Sequence, residues 1–555
     1  MIGKRMKHAK RYQEISNAFI RNGFSYVVYR LFDKSPSKKS IEAEEDMNLR
    51  TIGVKLRMAL QELGPTFVKL GQIASTRRDL IPEEITGELE QLQDQVSSFS
   101  IEQVRAIIAG ELGGNVEEIF TDFHEEPLAT ASIGQVHLAT LQTGEQVAIK
   151  IQRPDIQKIV NTDLEILDDL AGLMEAKLAW AKTYQIRKII EEFSKSLFAE
   201  LDYTIEGRNG ERVAKQFIDQ PEIHIPRVYW DYSTRKVLTM EYVQGIKVSH
   251  LADLDGQGYD RKIVAERLTN AMLHQILIEG FFHGDPHPGN IYVLPNQVIS
   301  FIDFGMVGKL NEEMKYHLAS LVIHLQRSNT KGLLHTFSSM GILPDDIDMN
   351  SLYDDIEDLQ MKYYDVALSK MSLGGTISDL FSVAFKHQIQ IPVNFTVLGK
   401  ALLTVEGIVE DLDPEFSIMT AAKPFGQTLL KNRYNPKTIA KKSWDQLVEN
   451  AEMLSDFPKD LKEITTTIKK GKMRLDIHVT EQQVFLQKLD TIVNRLSFSI
   501  ILLSFSILMV GLIVGSAIAG QATVLWKFPA IEIGSVVATL MFIFMIVSII
   551  RSGRM

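Results

Sequence analysis

Two polar loops, separated by one short apolar hairpin, constrain this chain more than any other stretch. "EGFFHGDPHPGNIYV" (279–293) crowds His283, Gly284, Asp285, Pro286, His287, Pro288, Gly289 and Asn290 between apolar runs, and "VISFIDFGMVGKL" (298–310) follows almost at once. Proline fixes φ and stiffens the first loop. The linking segment "IYVLPNQVISFID" reads as strand, turn, strand. A fold built on it must bring the carboxylate of Asp285, the amide of Asn290 and the carboxylate of Asp303 to the ends of adjoining strands. Upstream, "IGQVHLATLQTGEQVAIKIQR" (133–153) reads as a strand, a turn at "QTGE" and a second strand that carries Lys150 near its end.

Other segments are mainly helical. Residues 1–120 place apolar side chains three and four apart, as in "TIGVKLRMALQELGPTFVKLGQIASTR". Pro82 with two acids opens one helix, and Ser100 caps another that ends in glycines. Residues 155–216 are helical, "IHIPRVYWDYSTRKVLTMEYV" supplies two strands around a turn, 261–280 form a long helix, and helices dominate from 311 to 426. "MRLDIHVT" reads as a small strand and "EQQVFLQKLDTIVNRL" as a helix.

With 555 residues, the chain is long enough for about three to five units. Its 60 basic and 70 acidic side chains give a formal charge of -10, which does not suggest a nucleic-acid partner. It has no cysteine, which excludes disulfides, thiolate catalysis and Cys-ligated metals. His283 and His287 lack a third nitrogen or thiolate ligand nearby, and a resemblance to kinase catalytic loops implies that His283 is a satisfied loop residue. The basic opening "MIGKRMKHAKRY" has no apolar core behind it and reads as a solvated start rather than a secretory signal.

Residues 496–519 contain no charged side chain, and 528–550 contain only Glu532. At 1.5 Å per residue, each run is long enough for a hydrocarbon core of about 30 Å, and the short loop between them suggests a transmembrane hairpin. Arg495, Arg551 and Arg554 flank the pair, so both ends are expected in the cytoplasm.

The ordered set Lys150, Asp285, Asn290 and Asp303 resembles the active site of a protein kinase. That resemblance assigns Lys150 to the α- and β-phosphates of ATP, Asn290 and Asp303 to Mg2+, and Asp285 to an acceptor proton or a water. A carboxylate from the helical insert must orient the lysine. The glycine-rich phosphate loop is missing: "PLATASIGQVHLA" (127–139) places Ala129, Thr130, Ala131 and Ser132 at the turn.

Further motifs make the chain similar to the UbiB family, also called ABC1 or ADCK, of atypical protein-kinase-like proteins. "KLGQ" (69–72), "ATAS" (129–132), "ELDY" (200–203), "HGDPHPGN" (283–290) and "DFG" (303–305) match its motifs. The resemblance implies that Glu206 partners Lys150, and that Lys69 pairs with Glu200 on an extension that folds over the nucleotide site. It places Gln72 on the same helix face as Lys69 and Asp202 near the metal. It also implies that the backbone from Glu241 through Tyr242 to Val243 contacts adenine. Thr130 and Gly134 stand where members usually or often have alanine, and Gly134 is expected to loosen the loop slightly.

The expected fold is α+β, an atypical kinase-like bilobal fold with an N-terminal helical extension and a C-terminal two-helix transmembrane hairpin. The expected divisions are the extension (1–120), the N-lobe with its helical insert (121–245), the C-lobe (246–426), a juxtamembrane connector (427–495) and the hairpin (496–550). The leading functional expectation is a cytoplasmic-membrane-anchored ATPase supporting ubiquinone or related isoprenoid-lipid biosynthesis. Its expected partners are a membrane lipid or isoprenoid quinone precursor, and quinone-biosynthesis enzymes. A kinase acting on a protein or small molecule and a nucleotide-binding scaffold are the alternatives.

Overall fold

Periodicity governs the N-terminal part of the computed structural model. The model describes residues 8–31, 48–92, 98–178, 181–182, 185–326, 329–344, 347–363 and 372–433, with scattered helical positions between 496 and 540. Here α1 (Ala9–Arg21) precedes α2 (Leu49–Leu63), α3 (Pro65–Ser75) and α4 (Glu83–Leu89). The Asn48 side chain caps α2 by accepting from the Thr51 amide at 2.8 Å. Gly64, at φ 93°, breaks the chain between α2 and α3, where Pro65 opens the next helix. Gly71 of "KLGQ" lets α3 lie close to its neighbours: a Cβ there would come within 2.2 Å of Leu92 and 2.8 Å of Leu60. Then α5 (Ile101–Leu112) starts at a capping box formed by Ser100 and Gln103 and stops at left-handed Gly113.

An antiparallel sheet follows: β1 (Phe120–Phe123), β2 (Ala129–Thr130), β3 (Gly134–Leu141) and β4 (Gln146–Gln152). It is completed by a later strand, β6. The order is β1-β3-β4-β6, with β2 paired to β3. On β4 the two-residue period sends Val147, Ile149 and Ile151 into the core beneath α5 and leaves Lys150 on the opposite face. Three helices come next, α6 (Ile156–Lys177), α7 (Ile186–Glu200) and α8 (Tyr203–Gln216). Helices α2, α3, α6 and α7 share a core that includes Leu60, Phe67, Val160, Leu164 and Phe193.

The segment expected to form two strands around a turn is divided between two sheets. Ile223–His224 (β5) pairs in parallel with β10, whereas Val237–Glu241 (β6) joins β4. The two arms around the turn do pair as expected, through an antiparallel bridge between Val228 and Met240, with the Tyr229 amide donating to the Thr239 carbonyl and the Glu241 amide to the Arg227 carbonyl; only Ile223–His224 goes to the second sheet. After β7 (Ile246–Lys247), α9 (Arg261–Leu273) runs into a wider π-type turn at His274–Glu279. The two loops then sit among β8 (Phe281–His283), β9 (Ile291–Leu294), β10 (Val298–Phe301) and β11 (Val307–Lys309). The second sheet has the order β5-β10-β9-β7, and β8 pairs with β11. The expected hairpin of β9 and β10 is present, with Val298 opposite Leu294 and Phe301 opposite Ile291.

Six further helices are α10 (Glu312–Gln326), α11 (Thr330–Ser339), α12 (Met349–Tyr363), α13 (Leu373–Lys386), α14 (Val393–Leu412) and α15 (Ile418–Arg433). Leu398, Ala401, Leu402 and Val405 of α14 pack with Leu268, Ala271 and Met272 of α9 in the core below the two loops.

The chain divides into two compact units, Met1–Lys441 and Lys442–Met555, and all elements above belong to the first. The strand at "MRLDIHVT", the helix at "EQQVFLQKLDTIVNRL" and most of the proposed hairpin lie outside the described residues. Among the described residues no helix is long and apolar enough to cross a membrane. The C-terminal transmembrane hairpin, and with it the two-span placement in the cytoplasmic membrane, is therefore corrected. An uncharged run of sufficient length is necessary for a spanning helix, but by itself it does not specify one.

Candidate active site

The rear of the site is a buried charge cluster. Lys150 Nζ lies 2.9 and 2.8 Å from the two carboxylate oxygens of Glu206 on α8, and 3.4 Å from Asp303 Oδ2. It also lies 5.3 Å from the Tyr203 ring centroid. Burial pushes the Glu206 carboxyl up to about 7, against the pull of the Lys150 ammonium that lies within reach of both its oxygens. Burial opposes the lysine's charge, but Asp303 and Glu206 outweigh it and hold the ammonium's pKa well above its usual value.

Asp303 adopts φ 59°, a left-handed conformation that aspartate tolerates better than most residues. Its Oδ1 accepts from the Gly305 amide at 3.2 Å. Burial raises its pKa, yet Lys150 and Lys69 overcome that and lower it to about 2. One ammonium shared by two carboxylates leaves this corner with surplus negative charge, and the Asp303 side chain remains 45% exposed.

The two loops are cross-bonded. His283 is fully buried, and burial lowers its pKa despite its hydrogen bond to Ile302. In the neutral ring assigned from these partners, Nε2–H donates to the Ile302 carbonyl at 3.0 Å and Nδ1 accepts from the Asp285 amide at 3.1 Å. His283 is thus a structural tie, in keeping with the sequence reading. The His287 ring is turned onto its own loop, accepting from the Gly289 amide at 3.0 Å. Asn290 donates its side-chain N–H to the Asp285 carbonyl at 3.2 Å, and its own carbonyl accepts from the Ile302 amide at 2.9 Å.

Asp285 meets a residue the sequence did not disclose. Its Oδ1 lies 2.9 Å from Lys400 Nζ on α14. Burial pushes the Asp285 carboxyl up, but Lys400 outweighs that and leaves it lower than usual. The only sequence signal was one lysine in the otherwise apolar "VLGKALL", sharing a helix face with Val397, Leu403 and Thr404.

A cover closes the other side. Lys69 on α3 forms an ion pair with Glu200 at the end of α7. Gln72 donates to the Leu92 carbonyl at 3.1 Å. Just beyond α3, Arg77 grips fully buried Asp79 at 2.9 and 2.8 Å, and Asp79 also accepts from the Ile391 amide at 3.1 Å. Between cover and loops lies a cleft of about 2250 Å3. Lys69, Gln72, Glu200, Asp285, Asn290 and Asp303 all line it, together with apolar side chains such as Ile73, Phe193, Phe381, Val397 and Leu403. This exceeds the roughly 300–1,000 Å3 typical of small-molecule pockets.

Other expected site residues lie elsewhere. Asp202 caps α8, accepting from the Thr204 amide at 3.1 Å, and pairs with Arg235 at 3.3 Å. It therefore positions the helix that carries Glu206. Ala129, Thr130, Ala131 and Ser132 are not among the residues lining the cleft, and the buried Ser132 hydroxyl has no hydrogen-bond partner. Gly134 does not loosen that loop: a Cβ there would come within 2.4 Å of the Tyr203 hydroxyl and 2.5 Å of the Ile151 carbonyl. Glu241, Tyr242 and Val243 also lie away from the cleft lining. Glu241 pairs with His224 at 3.1 Å, and the Tyr242 amide donates to Gln146 at 3.1 Å.

The residues present fit magnesium delivered with a nucleotide. Such a cation needs one or two protein oxygens in addition to phosphates. Asp303 offers an ionised carboxylate, and the Asn290 amide nitrogen is engaged, which leaves its oxygen as a ligand. Among the described residues there is no cluster of three or more His, Asp or Glu able to form an all-protein cage.

Comparison with known proteins gives a consistent result. The ABC1 atypical kinase-like domain model matches residues 91–337, the UbiB helical domain model 356–417, and the ABC1/UbiB kinase-like C-terminal domain model 480–551. A probable protein kinase UbiB from Histophilus somni is 36% identical over 485 residues, covering 85% of this chain and 89% of its own. An uncharacterized Synechocystis protein is 35% identical over 440 residues, covering 79% of this chain and 75% of its own. A Clostridium pasteurianum protein, described as an uncharacterized protein in the hydrogenase 1 5' region, is 30% identical over 553 residues and covers 98% and 99%. This chain belongs to the UbiB/ABC1/ADCK family of atypical kinase-like proteins.

Proposed function

We propose that the chain is a magnesium- and ATP-dependent kinase-like phosphotransferase acting on a small hydroxyl compound with an apolar tail. A quinone-related lipid precursor is the acceptor class its family suggests. The observation that carries the reading is one cleft lined both by Asp285, Asn290 and Asp303 and by apolar side chains. It replaces the membrane-anchored ATPase expected from sequence, because the anchor finds no support among the described helices.

In this reading, Lys150, oriented by Glu206, neutralises the α- and β-phosphates. Asn290 and Asp303 hold magnesium, which when bound offsets the charge on the phosphate oxygens. Asp285 takes the acceptor's proton as its oxygen bonds to the γ-phosphorus, the bond to the β-phosphate oxygen breaks and ADP leaves. The family resemblance assigns Ala129–Ser132 to the phosphates and the backbone of Glu241–Val243 to the base, although neither segment lines the cleft. The cover carrying Lys69 and Gln72 narrows the entrance, which favours a small acceptor over the surface of a folded protein. Relatives named probable protein kinases keep a protein acceptor as the second reading.

The test uses the full chain with magnesium-ATP, phenol-like quinone-precursor mimics or a generic protein acceptor, and Asp303→Asn as the blank. ATP turnover with a phosphorylated mimic, absent from the blank, is expected. Phosphorylation of the protein alone would favour the second reading. Turnover equal in the blank would sink the assignment.

A further inference from the structure

Every other lysine in the charge network has a carboxylate assigned to nucleotide or cover: Lys150 has Glu206 and Asp303, and Lys69 has Glu200. Lys400 is different. It comes from α14, far from both loops in sequence, and its ammonium meets one oxygen of Asp285 at 2.9 Å. The helix is seated there by packing. A Cβ on Gly284 would approach Val397 Cγ1, one turn before Lys400, to 3.0 Å, tighter than most Cβ contacts, so the glycine lets the loop lie against α14 without displacing Val397. Lys400 and Asp285 both line the cleft, with side chains 21% and 37% exposed.

A lysine serving only to fill this apolar helix face would be a poor choice. Its stem could be replaced by methionine at similar volume, without desolvating a charge. The position therefore uses the charge. Its ammonium occupies one carboxylate oxygen of Asp285 and fixes the plane of the group, while the other oxygen is left for an acceptor hydroxyl.

We propose that Lys400 is a positioning residue for Asp285, supplied by the helical region of the same chain, that aims the carboxylate at the acceptor hydroxyl. The inference rests on the phosphotransfer reading above. It is tested in the full chain by ADP formation from magnesium-ATP together with phosphorylation of the phenol-like mimic, in Lys400→Met, Lys400→Arg, Asp285→Asn and the double variant K400M/D285N. A misaimed group costs about 100-fold in rate. Lys400→Met should thus lose about 10- to 100-fold in kcat while the KM for magnesium-ATP stays within about twofold. Lys400→Arg should recover most of the loss. The double variant should be no slower than Asp285→Asn, because the lysine acts through that carboxylate.

Unchanged kcat in Lys400→Met would overturn the inference. So would an equal further loss in the Asp285→Asn background, or a folded Lys400→Arg no more active than Lys400→Met. A wild-type chain with no turnover would sink the phosphotransfer reading and this inference together. That result is distinct from an active wild type whose rate ignores Lys400.

Discussion

The rear wall of the cleft and its cover are both held by ion pairs, but those pairs are seated at different depths. Behind the cleft, Glu206 is almost fully buried and both its oxygens face Lys150. On the cover, Lys69 and Glu200 keep about a fifth of their side-chain surface in contact with solvent, at 17% and 21%. The cover is also uneven. Its far end is pinned by Asp79, which has no exposed surface and three hydrogen bonds. The comparison suggests a rigid charge-holding wall facing a flap that is anchored firmly at one end and lightly at the other.

The largest expected effect comes from the wall. Lys150→Ala leaves the Glu206 carboxylate buried without its ammonium, and breaking such a pair costs about 3–5 kcal/mol. Urea denaturation should show a loss of that size. A loss below about 1 kcal/mol, the scale of an exposed pair, would erase the distinction between wall and cover.

Asp79→Ala should come next, at about 3 kcal/mol, because it strands Arg77 and the Ile391 amide together. Hydrogen exchange should then quicken across residues 65–81, while the amides of β9 and β10 keep their protection. Lys69→Ala, which leaves Glu200 without its ammonium at a largely buried but solvent-touched site, should cost less, about 2 kcal/mol. Its exchange effect should be confined to the α3 end that faces Glu200. If Lys69→Ala loosens the whole segment as much as Asp79→Ala does, the anchors are not unequal.

This contrast also explains what could be read in the sequence. Lys150, Asp285, Asn290 and Asp303 stand out because each lies in a local pattern, a strand end or a proline-stiffened loop, that survives without knowledge of the fold. The Lys69–Glu200 pair was legible through motif resemblance. Asp79 was not: "RRDL" looks like a solvated charge cluster, and only packing against Ile391 buries the aspartate. Lys400 was hidden for the same reason, because its partner lies 115 residues earlier and is reached through the seating of α14 on Gly284. Ile223–His224 had strand character, but no local signal could say that it pairs with β10 rather than with β6. The terminal apolar runs meet the length and charge requirements of spanning helices, but most of them lie outside the described residues, among which no helix is long and apolar enough to cross a membrane.

The smallest effect concerns a third kind of contact, a half-exposed pair between the two sheets. His224 on β5 lies 3.1 Å from Glu241 on β6, with side chains 34% and 37% exposed. The hydrogen bond with Glu241 raises the histidine's pKa against the opposing effect of burial, and the same bond lowers the glutamate's. A raised histidine contributes stability below its unfolded value, about 6.5, and loses it as pH rises through the folded value. A lowered glutamate contributes above about 4.3 and loses it as pH falls through its folded value. The pair should therefore stabilise most between these limits. Solvent screening at this exposure holds the gain to about 0.5 kcal/mol. Denaturation of the wild type and Glu241→Gln at pH 6 and pH 8.5 should show a difference near that size at the lower pH and close to zero at the higher. A difference that stays the same at both would mean that His224 does not change charge in this window, and that the contact between the sheets is an uncharged hydrogen bond.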